Sequence, residues 1–189
     1  MSDDKVALTT LERIKTFLNI TNENSDSILN QLLQSVSEEV QNHCNRKFLK
    51  ATHTEYFDGD KAERLFVSNF PIISITSIHD DIERVFGADT LVDTDSYVAD
   101  SENGIIQFDY PIGLGTGQKN VQVIYEGGYE TIPMDLQDAV VKKVSAAFLF
   151  SRSQINTQEG MEIQNTRIEK MIEEADKTIE RYRRFPSGR

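Results

Sequence analysis

Few residues of this chain could do chemistry: one thiol, three imidazoles, two glycine-rich stretches and 31 carboxylates. Cys44 directly follows His43. A thiol beside an imidazole is the raw material of a nucleophile and its base, but neighbouring helix positions diverge by about 100°, so the two would not pair. His43 reads instead as a surface or interface residue of its helix. His53 and His79 stand apart, and no HxxxH, CxxC or HExxH spacing occurs, so no zinc site is expected. Asp58-Gly59-Asp60 hints at calcium, yet counting from Asp58 puts Glu63 where a calcium loop needs glycine and Asn69 where it needs glutamate. A hairpin turn, with glycine taking positive φ cheaply, is the better account.

The stretch IYEGGYETIP brings Gly127-Gly128 toward a helix, the arrangement that often holds phosphate. Here four residues, one of them acidic, separate the glycines from Pro133, and no Lys-Ser or Lys-Thr follows. GLGTG, Gly113 to Gly117, runs into strand residues instead of a helix. Neither is built for phosphate; the first corner is expected only to turn the chain. No GxSxG occurs, and no pair of carboxylates is singled out with aromatic neighbours as glycoside hydrolysis would require. Neither catalysis nor a cofactor is expected.

Charge is distributed unevenly. Residues 49–132 hold 15 acids and 5 bases, whereas residues 133–189 hold 9 acids and 10 bases. An acidic middle segment repels nucleic-acid phosphate, and it is equally what a well-solvated surface looks like. The single cysteine excludes an internal disulfide framework and fits a reducing compartment. No signal-length apolar run opens the sequence, and the run VSAAFLF is too short to cross a bilayer, so a cytosol-made soluble protein is expected.

The elements that would carry these residues follow from periodicity. Thr9 with Glu12 offers a capping box for a short helix through Leu18. A longer helix shows Ile28, Leu32, Val36 and Val40 on one face, with Leu29 and Leu33 beside them, and should end between Asn45 and Phe48. From Thr52 the period becomes two: EYFDGDKAERLFV reads as a hairpin, IISITSI as a strand, SYVADSENGIIQFDY as a second hairpin and VQVIYEGGY as a last strand. After Pro133 the four-residue steps of Leu136, Val140, Val144 and Phe148 predict a central helix. Ser153 to Thr166 reads as an extended loop. A final helix from about Arg167 to Tyr182 carries a seam of Ile168, Ile172, Ala175 and Ile179. The predicted fold is α+β, a core of about four helices with an antiparallel β-subdomain inserted. The boundaries are 1–50 for a helical hairpin, 51–132 for the β insertion and 133–189 for the C-terminal helices, loop and basic tail.

Several blocks occur in an order that resembles the head-to-tail connector (adaptor, head completion) proteins of tailed bacteriophages. These are Leu11 to Ile20, Asn45-Arg46-Lys47-Phe48, EYFDGD, NFPIISITSI, DSYVADSENGIIQF and VQVIYEGGYETIPMDLQDAVV, together covering roughly residues 8 to 150. The resemblance implies a structural virion part at the head–tail interface, assembled in the host cytoplasm. It implies a homo-oligomeric, typically dodecameric, adaptor ring that binds the portal and the next stopper or tail-completion protein, and through which DNA passes without specific binding. Other neck or tail-completion roles, and a small ligand-binding protein or enzyme, remain the alternatives. Within the connector reading, Arg181, Tyr182, Arg183, Arg184 and Phe185 are candidates for portal docking. The Ile168, Ile172, Ala175 and Ile179 seam is a candidate for intersubunit or helix packing. Asp58, Asp60, Asp80 and Asp81 are candidates for a channel-lining or peripheral acidic surface.

Overall fold

Two helices, six strands and two further helices follow one another in the computed structural model, which describes residues 7–59, 61–113, 117–153 and 161–184. They form two units, one of residues 7–46 with 131–184 and one of residues 47–130. Helix and strand are thus both present and segregated, an α+β chain.

In the helical unit, α1 (Leu11–Leu18) is capped by Thr10, whose Oγ1 accepts the Arg13 amide at 3.4 Å. The expected box from Thr9 does not form. Thr9 is buried, and the shift of one residue leaves Glu12 a position too early to reach back. On α2 (Asp26–Cys44) Val36 and Val40 are buried as expected, with Cys44 after them, but in the first half Leu29 and Leu33 are buried in place of Ile28 and Leu32, and Ile28 is exposed. Asn19 and Asn45 end these helices at φ 56° and 53°, conformations that asparagine tolerates. α3 (Met134–Ser153) packs against α1, α2 and also α4 (Met161–Glu180). Its Leu136, Val140, Val144 and Phe148 are all buried. Lys143 ties the three longer helices together, with Nζ 2.8 Å from Glu39 and 3.0 Å from Asp176, while Lys142 meets Glu174 at 2.8 Å. α4 begins well before the expected Arg167, because Met, Glu and Gln are good helix formers even where no apolar period advertises them. Of the loop expected over Ser153 to Thr166, residues 154–160 lie outside the described ones.

The strand unit holds β1 (Ala51–Gly59), β2 (Ala62–Phe66), β3 (Ile72–Asp80), β4 (Tyr97–Asp100), β5 (Ile105–Ile112) and β6 (Gly117–Gly127). They make two antiparallel sheets, ordered β1-β6-β3 and β2-β5-β4. β4 and β5 are the expected hairpin. β1 and β2 are not: the Asp58-Gly59 segment passes the chain from one sheet to the other, since β1 pairs along its length with the longer β6. One apolar core serves both sheets, with Leu65, Ile106, Phe108 and Ile112 from one and Ile78, Val121, Val123 and Tyr125 from the other. A two-stranded ribbon is marginal alone, so sharing one core is what lets six short strands fold.

Candidate functional site

The glycine corner is closed by the chain itself. The Gly128 amide donates to Pro71 O at 3.0 Å and the Tyr129 amide to Phe48 O at 2.7 Å, while Lys50 N–H donates to Tyr129 O at 3.0 Å. A Cβ on Gly127 would stand 2.2 Å from the Asn69 carbonyl oxygen, and Gly128 adopts φ +105°. Glycine is therefore needed for close backbone approach. The donors that would cradle a phosphate are already engaged, so the corner turns the chain.

The imidazoles and the thiol are also committed to structure. His43 lies 2.8 Å from Glu180, and that contact, followed by Arg183, holds the Glu180 carboxyl below the ordinary glutamate range. Cys44 is fully buried, its Sγ donating to Ile179 O at 3.6 Å, and burial pushes its thiol up to about 11. Such a thiol is almost entirely protonated at neutral pH and inert. In the strand unit, the Tyr125 hydroxyl donates to Glu55 and accepts the Asn69 amide at 3.0 Å. Glu55 also accepts from Ser68 N at 2.9 Å and Ser68 Oγ at 3.0 Å. His53 stacks near Tyr125 and sits 3.3 Å from the Asn69 side-chain nitrogen; burial lowers its pKa. This network joins β1, β6 and the segment before β3. Among the described residues, no three or more His, Cys, Asp or Glu side chains converge to hold a metal ion.

The acidic candidates turn out to hold backbone. Asp58 accepts the Lys119 amide at 2.9 Å and Asp80 the Gly113 amide at 2.6 Å. Asp81 is buried and accepts from Phe86 N at 2.7 Å and from Glu83 and Val85 N at 2.8 Å. The Phe86 amide above all, then those of Glu83 and Val85, keep its carboxyl below the usual range. Asp81 thus serves as an anchor for the backbone that follows it. Asp60 lies outside the described residues.

The basic tail is likewise engaged within the helical unit. Arg181 pairs with Asp135 at 3.2 Å, and the Tyr182 hydroxyl donates to the same carboxylate at 2.5 Å. Arg183 meets Glu180 at 3.1 Å, and the Arg184 amide donates to Cys44 O at 2.9 Å, tying the tail to the end of α2. Phe185 lies outside the described residues. In the seam, Ile168, Ala175 and Ile179 are buried, on a helix that packs against α3, while Ile172 remains 37% exposed.

Apolar surface remains uncommitted in three places among the described residues. A groove of about 360 Å³ runs between α1 and α3, lined by Glu12, Arg13, Thr16, Phe17, Asp138 and Val141, with Phe17 exposed. A second, of about 290 Å³, lies on the β2-β5-β4 sheet. The third feature is the connection from β3 to β4. There Ile82, Val85 and Leu91 are 62%, 76% and 55% exposed. Arg84 and Phe86 take φ 60° and 54°, each costing about 1–2 kcal/mol for a residue with a side chain. Besides the grip of Asp81, His79 Nδ1 donates to Gly87 O at 3.2 Å, and the Phe86 ring lies against those of Tyr56 and His79. Sequence reasoning passed over this loop. Its signal was the pair Ile82 and Val85 in a stretch with neither helical nor strand period.

Comparison with known proteins finds a family model, described as head completion protein, that matches residues 7–185. No curated protein matches. Among solved structures, the chain is similar to one from the neck of an empty gene transfer agent particle computed with C6 symmetry (14% identity, TM-score 0.61, covering 100% of this chain and 97% of that one). It is also similar to one from the neck of the native particle computed with C12 symmetry (15%, 0.59, 100% and 96%) and one from the virion of the native particle (14%, 0.58, 100% and 96%). At these identities the likeness is one of fold.

Proposed function

The chain belongs to the head completion protein family, a structural part of the head–tail connection, and from that premise we propose that it is one subunit of an adaptor ring under the portal of a tailed particle. The observation that carries this reading is the family match over residues 7–185, on a chain whose thiol, glycine corner and Asp58, Asp80 and Asp81 carboxylates are committed to its own fold. Its work is assembly, with no chemical step. The ring extends the DNA channel, and the excess of acids over residues 49–132 keeps DNA from adhering, since phosphate binding needs cations. That property is one of the segment's summed charge, to which Asp58, Asp80 and Asp81 contribute while they also hold backbone amides.

Portal docking falls to the end of α4, where the Arg181 and Arg183 side chains remain 66% and 41% exposed despite their partners. Exposed pairs of this kind are worth only about 0–1 kcal/mol, so an acidic portal surface exchanges for them at little cost. Electron microscopy of the purified chain mixed with purified portal is the test. A ring of the chain stacked on the portal is expected, and a portal left bare refutes the adaptor reading. Truncation after Ile179 should abolish co-assembly, but it also removes the Arg184 contact with α2. Arg181→Glu with Arg183→Glu spares that contact and should weaken co-assembly alone; unchanged co-assembly would refute tail docking.

A further inference from the structure

We propose that the loop between β3 and β4 is a preformed knob that docks on the outer face of the β2-β5-β4 sheet of a neighbouring copy of this chain. The inference rests on the ring reading above and names the contact that would build it.

Ladder register identifies the receiving face. Arg64, Gln107 and Val98 lie side by side across β2, β5 and β4, and Phe66, Ile105 and Asp100 form the next row on the same face. The alternate row, Leu65, Ile106 and Ala99, faces the core. The outer face therefore carries Val98, 71% exposed, in a groove with Ile105 between the side chains of Arg64 and Asp100. A strand face turned to water normally alternates to polar residues, and an exposed valine beside an isoleucine breaks that rule.

The knob is complementary in kind. Its tip offers Ile82 and Val85, with Glu83 and Arg84 between them. Among the described residues, neither the Glu83 carboxylate nor the Arg64 guanidinium has a hydrogen-bond or ion-pair partner. Placing Val85 against Val98 brings the Glu83 carboxylate to the Arg64 guanidinium; Arg84 and Asp100, also opposite in charge, add little because Arg84 already donates to Gln118 O and Asp100 already accepts from Asn103. Strained backbone at Arg84 and Phe86, held by the buried Asp81, means the loop loses little freedom on docking. The two surfaces are different, so the contact is heterologous, the kind that generates a ring when its rotation closes. Both lie on the same compact unit, which fixes the rotation between successive copies.

The test is a disulfide trap in assembled particles carrying the full chain with Val85→Cys and Val98→Cys together. Both positions are at the surface, and the native Cys44 is buried. A ladder of covalent oligomers is expected on oxidation, with either single variant giving none. Glu83→Arg alone and Arg64→Glu alone should each reduce incorporation into particles, and the two together should restore it. Particles that contain the chain but yield no ladder overturn this contact and leave the ring reading standing. Particles from which the parent chain is absent overturn both.

Discussion

Tyr125→Phe removes one oxygen from a fully buried ring without opening a space of consequence, so its effect isolates the hydrogen bonds. The hydroxyl donates to Glu55 and accepts the Asn69 amide at 3.0 Å. A bond to a charged group contributes about 1.5–3 kcal/mol, and a buried amide left without its acceptor costs about 1–3 kcal/mol. Because Glu55 keeps its two bonds from Ser68, the lower halves of these ranges apply, giving a loss of about 3 kcal/mol. With a urea slope of about 2 kcal/mol per molar, the midpoint should fall by about 1.5 M. If the whole chain melts together, Tm should drop by about 6–12 °C. Tyr56→Phe, on a half-exposed tyrosine whose hydroxyl accepts from Gln122, is the control and should cost less than about 0.5 kcal/mol. A pH signature accompanies the loss. Burial, then Glu55, raises the Tyr125 pKa, so the folded state favours the phenol. This contribution is complete below about pH 10, the ordinary tyrosine value, and is lost as pH rises beyond it toward the raised one. The parent should therefore lose stability above pH 10 more steeply than Tyr125→Phe. Equal midpoints for the two proteins would refute the role given to this network, whatever the alkaline limb does.

Asp81→Ala should release the β3–β4 loop while leaving the core folded, read as lost hydrogen-exchange protection at the Val85 and Phe86 amides; unchanged protection would contradict the anchoring role. Since the Asp81 carboxyl is held low, its contribution is full above about pH 4 and disappears as pH falls through the lowered value, so acid alone should free the same amides in the parent. Gly128→Ala combines φ +105° with a Cβ 2.7 Å from Leu49 O and should destabilise by more than about 1 kcal/mol in thermal melts. Cys44, with its thiol near 11, should resist Ellman's reagent in native protein at pH 8 and react only with unfolding; rapid native labelling would refute its burial.

Much of the fold can be read from period alone, because the long helices and the β4–β5 hairpin satisfy their own local signals. The four-residue steps from Leu136 to Phe148 needed no tertiary information to mark α3 as central. Strand partnership is different. Asp58-Gly59 carries a strong local turn signal, yet β1 leaves β2 for β6, a partner some sixty residues away, and no window of sequence reports that competition. The burial of Leu29 in place of Ile28 in the first half of α2 has the same origin: the two are equally apolar, and only packing decides which is buried. The candidate surfaces were legible as composition and not as geometry. Clustered aspartates and arginines look available in sequence, whereas Asp80 and Asp81 are bound to amides, and Arg181 and Arg183 to carboxylates.

That difference bears on how such a chain finds its neighbours. A polar group already bonded within its own subunit gains little on meeting a partner, since one bond is exchanged for another. Free energy for association comes instead from apolar area still in water and from charges not yet paired. Among the described residues of the strand unit, Ile82, Val85 and Val98 supply the first, and Glu83 with Arg64 the second. None of these is among the aspartates and arginines that the sequence singles out as candidates. If assembly follows uncommitted free energy, charge reversal at Glu83 should impair particle incorporation more than neutralising Asp58, whose carboxylate serves the Lys119 amide. The reverse order would mean that summed charge, and not fitted contact, holds the ring together.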